Sequence, residues 1–135
     1  MYSHEIDIRV RYGETDQMGV VYYGNYCLYY EVARVEVIRS LGITYRSLEE
    51  AGILMPVVRV ESKFIHGAEY DDLIRIKSTV VEMPDRFIIF DVEMFREELK
   101  IHEAKVVLCF KDAKTGKRVR TPQEIISKLT PHFLP

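Results

Sequence analysis

Two cysteines are all that this 135-residue chain carries, and neither Cys27 nor Cys109 lies at ligand-like spacing from another Cys or a His. That leaves no framework for a disulfide scaffold or a zinc cluster, and both thiols are expected to be buried in a reducing compartment. An excess of one charge is missing too: 19 basic residues stand against 21 acidic ones, a net charge of −2. With the basic residues scattered, nothing favours bulk binding to nucleic acid or to an anionic membrane. No window approaches the roughly 18 apolar residues that a bilayer span needs. The opening Met1-Tyr2-Ser3-His4-Glu5 has neither a basic n-region nor an apolar h-region. The expectation is a cytoplasmic chain with no integral membrane segment. Gly-x-Ser-x-Gly, a phosphate-cradling glycine loop and a dinucleotide fingerprint are all absent. His4, His66, His102 and His132 share no metal-binding spacing. No metal site and no cofactor are expected.

What is present reads as a single domain over residues 1–135, long enough to build a hydrophobic core. His4 to Val10 alternates, with Ile6, Ile8 and Val10 on one face and Asp7, Arg9 and Arg11 on the other, which predicts a half-buried strand. From Asn25 to Leu41 the period becomes helical: Tyr26, Tyr30, Ala33, Val37 and Leu41 form one apolar stripe. Leu28, Tyr29, Val32 and Val35 widen it, so this helix is expected to be covered on more than one side. Glu31 and Arg34 are spaced to pair across one turn, and Gly42 ends the helix. Thr44 caps a short second helix that runs to Ala51 and stops at Gly52. Its third residue on, Ser47, is neither Glu nor Gln, so no capping box is expected.

After Gly52, Ile53–Ile65, Leu73–Met83, Phe87–Phe95 and Ile101–Phe110 read as strands. The turns between them are short: His66-Gly67, Pro84-Asp85, Glu97 to Lys100, and Asp112 to Lys117. Such connections favour antiparallel neighbours. Arg118–Arg120 returns as a last short strand, and Pro122–Leu129 as a terminal helix. The fold class is therefore α+β, five or six antiparallel strands wrapped around one long central helix. Sheet edges and helix flank would remain uncovered, which calls for at least a dimer.

The chemistry concentrates between Tyr12 and Tyr30. Asp16 lies in a polar turn just before the apolar Val20–Tyr23 and a helix start. By spacing alone it is either a turn-forming aspartate or a reactive carboxylate. Tyr22, Tyr23 and Gly24 either pack and turn the chain or aim the Tyr23 N–H at a substrate carbonyl. Arg59, Lys63 and Arg86 either meet a phosphate or coat solvated strand faces.

The segment Thr15-Asp16-Gln17-Met18-Gly19-Val20-Val21-Tyr22-Tyr23-Gly24-Asn25-Tyr26, followed by Tyr30-Glu31-x-x-Arg34, resembles the signature of hot-dog fold acyl-CoA thioesterases. The likeness is to the 4-hydroxybenzoyl-CoA thioesterase family, including its Tol-Pal-associated members. Glu69-Tyr70-Asp71-Asp72-Leu73 extends it over nearly the whole chain. The resemblance implies a hot-dog sheet around the helix, a homodimer or a homotetramer built as a dimer of dimers, and a site at the dimer interface. It implies Asp16 as the catalytic carboxylate, Tyr23 as the residue whose N–H polarises the thioester, Tyr22 and Gly24 beside the substrate, and basic residues such as Arg59 and Arg86 for coenzyme A phosphates. Tyr23 stands where many Tol-Pal-associated members have His, so that residue's role does not carry over. An acyl-CoA substrate and no cofactor follow. The rivals are a non-catalytic acyl-CoA or acyl-carrier-binding module, which would release no thiol, and a dehydratase or hydratase, which would need a His against Asp16.

Overall fold

The computed structural model describes residues 1–135. Strand β1 (Tyr2–Arg9) leads through a 3-10 turn (Tyr12–Glu14) and a loop to a second 3-10 turn (Tyr23–Asn25), which runs directly into helix α1 (Tyr26–Ser40). Helix α2 (Tyr45–Glu50) follows, then β2 (Ile53–Leu54), β3 (Val57–Phe64), β4 (Leu73–Val80), β5 (Phe87–Arg96), β6 (Leu99–Asp112), β7 (Arg118–Val119) and α3 (Gln123–Leu129). Every pairing is antiparallel, in the order β1-β4-β5-β6, with β3, β2 and β7 also on β6. β6 is thus the spine of the sheet, and β1 and β3 are its long edges. The five long strands match the expected sheet, and β2 and β7 are two-residue additions.

The sheet curls around α1. The stripe Tyr26, Tyr30, Ala33, Val37 and Leu41 is buried, joined by Ile74, Ile76, Phe90, Met94 and Leu108 from the concave face. Burying side chains of this size stabilises by roughly 1.5–3 kcal/mol each. The helix is not covered all round, since Leu28 and Val32 remain exposed.

Local differences from the sequence pattern have local causes. The run Ile53–Ile65 breaks at Met55-Pro56, because proline has no N–H for the ladder and restricts the residue before it. The strand from Leu73 ends at Val80, and Leu99 already belongs to β6, so its hairpin turns at Glu97 with φ +55°. Thr44 and Ser47 do form reciprocal bonds: the Ser47 N–H donates to Thr44 Oγ1 at 3.0 Å and the Thr44 N–H to Ser47 Oγ at 3.2 Å. A serine hydroxyl therefore serves where the pattern asks for Glu or Gln. Glu31 and Arg34 form no ion pair; Glu36 and Arg39 pair instead. Cys109 is buried, but Cys27 is exposed, because position 27 faces away from the sheet; both are free thiols.

Candidate active site

The loop after β1 is shaped by hydrogen bonds that its own polar residues make. Asp16 Oδ1 accepts the Met18 N–H at 2.8 Å, and the Gly19 N–H donates to Asp16 O at 3.0 Å. Gly19 has φ +83°, a backbone conformation that favours glycine. Asp16 thus forms an Asx-turn, and this turn leaves Oδ2 with no hydrogen bond inside the chain. The turn-forming role of Asp16 is thus observed, and its second carboxylate oxygen is left unengaged.

The apolar run that follows then docks against the β3–β4 connection. The Val21 N–H donates to Ala68 O at 2.8 Å, and Val20 bridges Glu69. Gly67 is required here for proximity, because a Cβ on it would lie 2.6 Å from Val20 Cγ1. The far side of this connection is fastened by the Arg96 guanidinium, which donates to Gly67 O at 2.8 Å and pairs with Asp72 at 3.4 Å.

A cavity of about 190 Å³ lies between loop and connection. Asp16, Tyr23 and His66 supply its polar groups, and Val20, Tyr26 and Phe64 are among its apolar walls. At the helix start most amides are engaged: the Tyr22 N–H donates to Glu14 O at 2.9 Å and the Asn25 N–H to Tyr22 O at 2.8 Å. Tyr26 donates to Tyr23 O. The N–H groups of Tyr23 and Gly24 open the 3-10 turn and have no acceptor within it. Asn25 makes no side-chain cap bond to the helix it precedes; its Nδ2 donates instead to Glu14 O at 2.9 Å. Asp16 and Tyr23, whose N–H has no acceptor in its turn, thereby line one small, mostly apolar cavity. A developing oxyanion can be held by such donors while the carboxylate attacks or deprotonates.

A scan against protein families matches residues 10–129 to the thioesterase-like superfamily. The chain belongs to this family of hot-dog thioesterases. It is 32% identical over 119 residues to the acyl-CoA thioesterase YbgC of Haemophilus influenzae, covering 87% of this chain and 88% of the relative. The solved structure of a DHNA-CoA thioesterase from Staphylococcus aureus is similar at a TM-score of 0.89 and 28% identity, covering 97% and 93% of the two chains. The 4-hydroxybenzoyl CoA thioesterase of Pseudomonas sp. strain CBS-3 is alike in fold, at a TM-score of 0.84 and 22% identity.

Within this hot-dog fold the residues singled out by sequence do not all meet. Asp16 and Tyr23 share the cavity, whereas Gly24, the next residue of the 3-10 turn, is not among its walls. Tyr22 packs on Tyr23, with ring centroids 4.6 Å apart. Arg59 is on β3, paired with Glu61, outside the cavity. Lys63 lies 3.8 Å from Glu103 on the outer face of the sheet. Arg86 lines a separate concavity of about 460 Å³ with Phe87, Arg118 and Arg120. Arg118 stacks over Phe87 at 5.7 Å, and Arg120 reaches Asp85 at 3.7 Å. The convergence of three arginines was not visible in sequence, where Arg118 and Arg120 read only as a strand.

Neither His66 nor His102 hydrogen-bonds Asp16. His66 lines the cavity, while His102 is buried behind it, stacked 4.2 Å from the Tyr26 ring and bonded through Nε2 to the Tyr30 hydroxyl. No cluster of three or more His, Cys, Asp or Glu is placed to hold a metal ion, and no helix is long and apolar enough to cross a membrane.

Sequence reasoning also passed over Glu14. Burial works against its charge, but the Arg11 N–H, the Tyr29 hydroxyl and the Arg11 guanidinium outweigh that and hold the carboxyl below its ordinary range. The signal available in sequence was a carboxylate three residues after an arginine, which is too common to single out.

Proposed function

We propose that this chain is a single thioesterase domain, residues 1–135, that hydrolyses an acyl-coenzyme A thioester to the free acid and coenzyme A. Asp16 acts as nucleophile, giving a mixed anhydride that water then opens, or as the base that takes a proton from the attacking water. In either route the thioester C–S bond breaks and the thiolate leaves with coenzyme A. The observation that carries this reading is the shared cavity of Asp16 and Tyr23, with Oδ2 and the Tyr23 and Gly24 amides all unengaged. The carbonyl oxygen sits on those amides, assisted by the positive end of α1. Tyr22 packs on the Tyr23 ring beside this site. The reading requires no metal and no cofactor.

Coenzyme A phosphates suit the concavity of Arg86, Arg118 and Arg120, since guanidinium groups bind phosphate oxygens in pairs. Arg59, neutralised by Glu61, suits them less. The active unit is a homodimer or a homotetramer made as a dimer of dimers. A cavity of about 190 Å³ falls below the roughly 300–1,000 Å³ of ordinary ligand pockets, so a second copy supplies the missing wall. A reducing, cytoplasmic setting fits the two free thiols.

The test is Asp16→Asn assayed for thiol release across short, long and aromatic acyl-CoAs. Asparagine keeps the oxygen that accepts the Met18 N–H, so the turn survives while the charge is lost. We expect kcat to fall by roughly 100- to 10,000-fold with unchanged melting temperature. A folded variant with wild-type kcat refutes the assignment.

A further inference from the structure

We propose that Glu14 is a positioning residue for hydrolysis, locking the Asp16 turn to the start of the central helix. The inference rests on the reading of Asp16 and the helix amides as the reacting site.

Glu14 is 8% exposed, although it sits two residues before Asp16 in a solvent-facing loop. Three of its oxygens each receive two donors. Oε1 accepts the Arg11 N–H at 2.7 Å and the Tyr29 hydroxyl at 2.8 Å. Oε2 accepts Arg11 Nε at 3.2 Å and a guanidinium NH2 at 3.0 Å. The main-chain oxygen accepts the Tyr22 N–H at 2.9 Å and Asn25 Nδ2 at 2.9 Å. One residue thus ties the end of the first strand, the stretch just ahead of Asp16, the residue before Tyr23, the residue after Gly24 and the second turn of α1.

The consequence for the site is geometric. With the Tyr22 amide turned back to Glu14, Tyr23 and Gly24 carry the first unengaged amides of the helix start. With Asn25 Nδ2 held by the same oxygen, the residue that follows Gly24 is fixed as well. The carboxylate at position 16 and these amides are held by opposite ends of one hydrogen-bonded unit, so their separation is set by Glu14 rather than by a flexible loop. Errors of about 1 Å in such a spacing cost on the order of 100-fold in rate.

A double-mutant cycle on the full-length protein tests this, using the acyl-CoA that gives the fastest thiol release. Glu14→Gln keeps one acceptor oxygen but sets an amide NH2 against the Arg11 donors. We expect kcat to fall roughly 10- to 100-fold while KM stays within about twofold. In the Asp16→Asn background, followed in single turnovers, the same substitution should change the rate by less than about threefold, because the carboxylate-to-amide spacing that it sets no longer serves a reactive carboxylate. Multiplicative effects of the two substitutions would overturn the inference. So would a loss of thermal stability with kcat of the folded fraction unchanged. Tyr29→Phe removes one hydroxyl donor and no charge, and its cycle with Asp16→Asn gives the same decision if Glu14→Gln is not recovered folded. If Asp16→Asn alone keeps wild-type kcat, the underlying reading of the site fails; if it is slow but the cycle is multiplicative, only the role of Glu14 fails.

Discussion

His102 is fully buried on β6, between the Tyr26 and Phe64 rings, with Nδ1 lacking any hydrogen-bond partner. Burial pushes its pKa down to about 4, and the nearby Glu103 carboxylate recovers only part of that. The unfolded chain titrates this group near 6.5, so below that pH the unfolded state takes up a proton that the folded state refuses. Stability is therefore complete above pH 6.5 and declines as pH falls toward 4. At pH 4.5 the cost is roughly 2 kcal/mol, a little under the linkage limit for two pH units. Urea denaturation at pH 7 and pH 4.5 measures it, with His102→Phe as reference. The variant should lack this component of the acid loss, and equal losses in both proteins would contradict the account. The residue scale is also where the sequence was least readable. Asp16 stood out because a polar turn meets an apolar run there. Glu14 and His102 did not, since the partners that define them, Tyr29 and Asn25 for one and Tyr26, Tyr30 and Phe64 for the other, meet only in the fold.

The start of α1 is the element on which the proposed oxyanion site depends, and a backbone donor can be deleted by proline. Tyr22 has φ −59° and ψ 133°, the extended conformation that a residue before proline prefers. Position 23 opens a 3-10 turn, whose φ suits the pyrrolidine ring, and its N–H is bonded to nothing within that turn. Tyr23→Pro should therefore fold with a melting temperature close to wild type while removing one donor. The expected loss is roughly 100- to 1,000-fold in kcat. Tyr23→Ala, which keeps the amide and loses the ring, separates the two contributions; a comparable loss in both variants would assign the effect to the side chain. This helix was legible from its stripe, and its observed bounds, Tyr26–Ser40, fall one residue inside the expected Asn25–Leu41 at each end. The preceding 3-10 turn was not legible, because Tyr-Gly-Asn carries no period of its own. The same limit hid the break at Pro56 inside a continuous apolar run, whereas alternation along β4 and β5 gave those strands directly.

At the scale of the molecule, the two sheet edges differ in what they present. On β1 the exposed Glu5, Asp7 and Arg9 alternate with half-buried Ile6 and Ile8 that pack on the core, whereas all eight residues of β3 are exposed, including Val57, Val58 and Val60. β3 bonds only to β6, so its outer row of N–H and C=O groups is free. Val60 shares a face with Ser62 and Phe64, the face that meets Tyr30 and Tyr26 of α1. The outer face of the sheet has a different character: Lys100 sits 2.7 Å from Glu103 and 3.1 Å from Glu93, charges satisfied within the chain. We therefore assign the proposed dimer contact to the exposed edge strand β3, and not to the charged face. Val60→Lys puts a cation at that contact in each copy. Losing the burial of one valine costs roughly 1.5–3 kcal/mol, and two-fold symmetry counts it twice, so the dissociation constant should rise by about 100- to 10,000-fold. Sedimentation velocity at micromolar protein should show a dimer or tetramer for the wild type and monomer for the variant, with kcat falling in parallel as the cavity loses its second wall. A wild type that sediments as a monomer at full activity would remove the need for a second copy. A Val60→Lys protein that keeps the wild-type assembly would move the contact elsewhere on the surface.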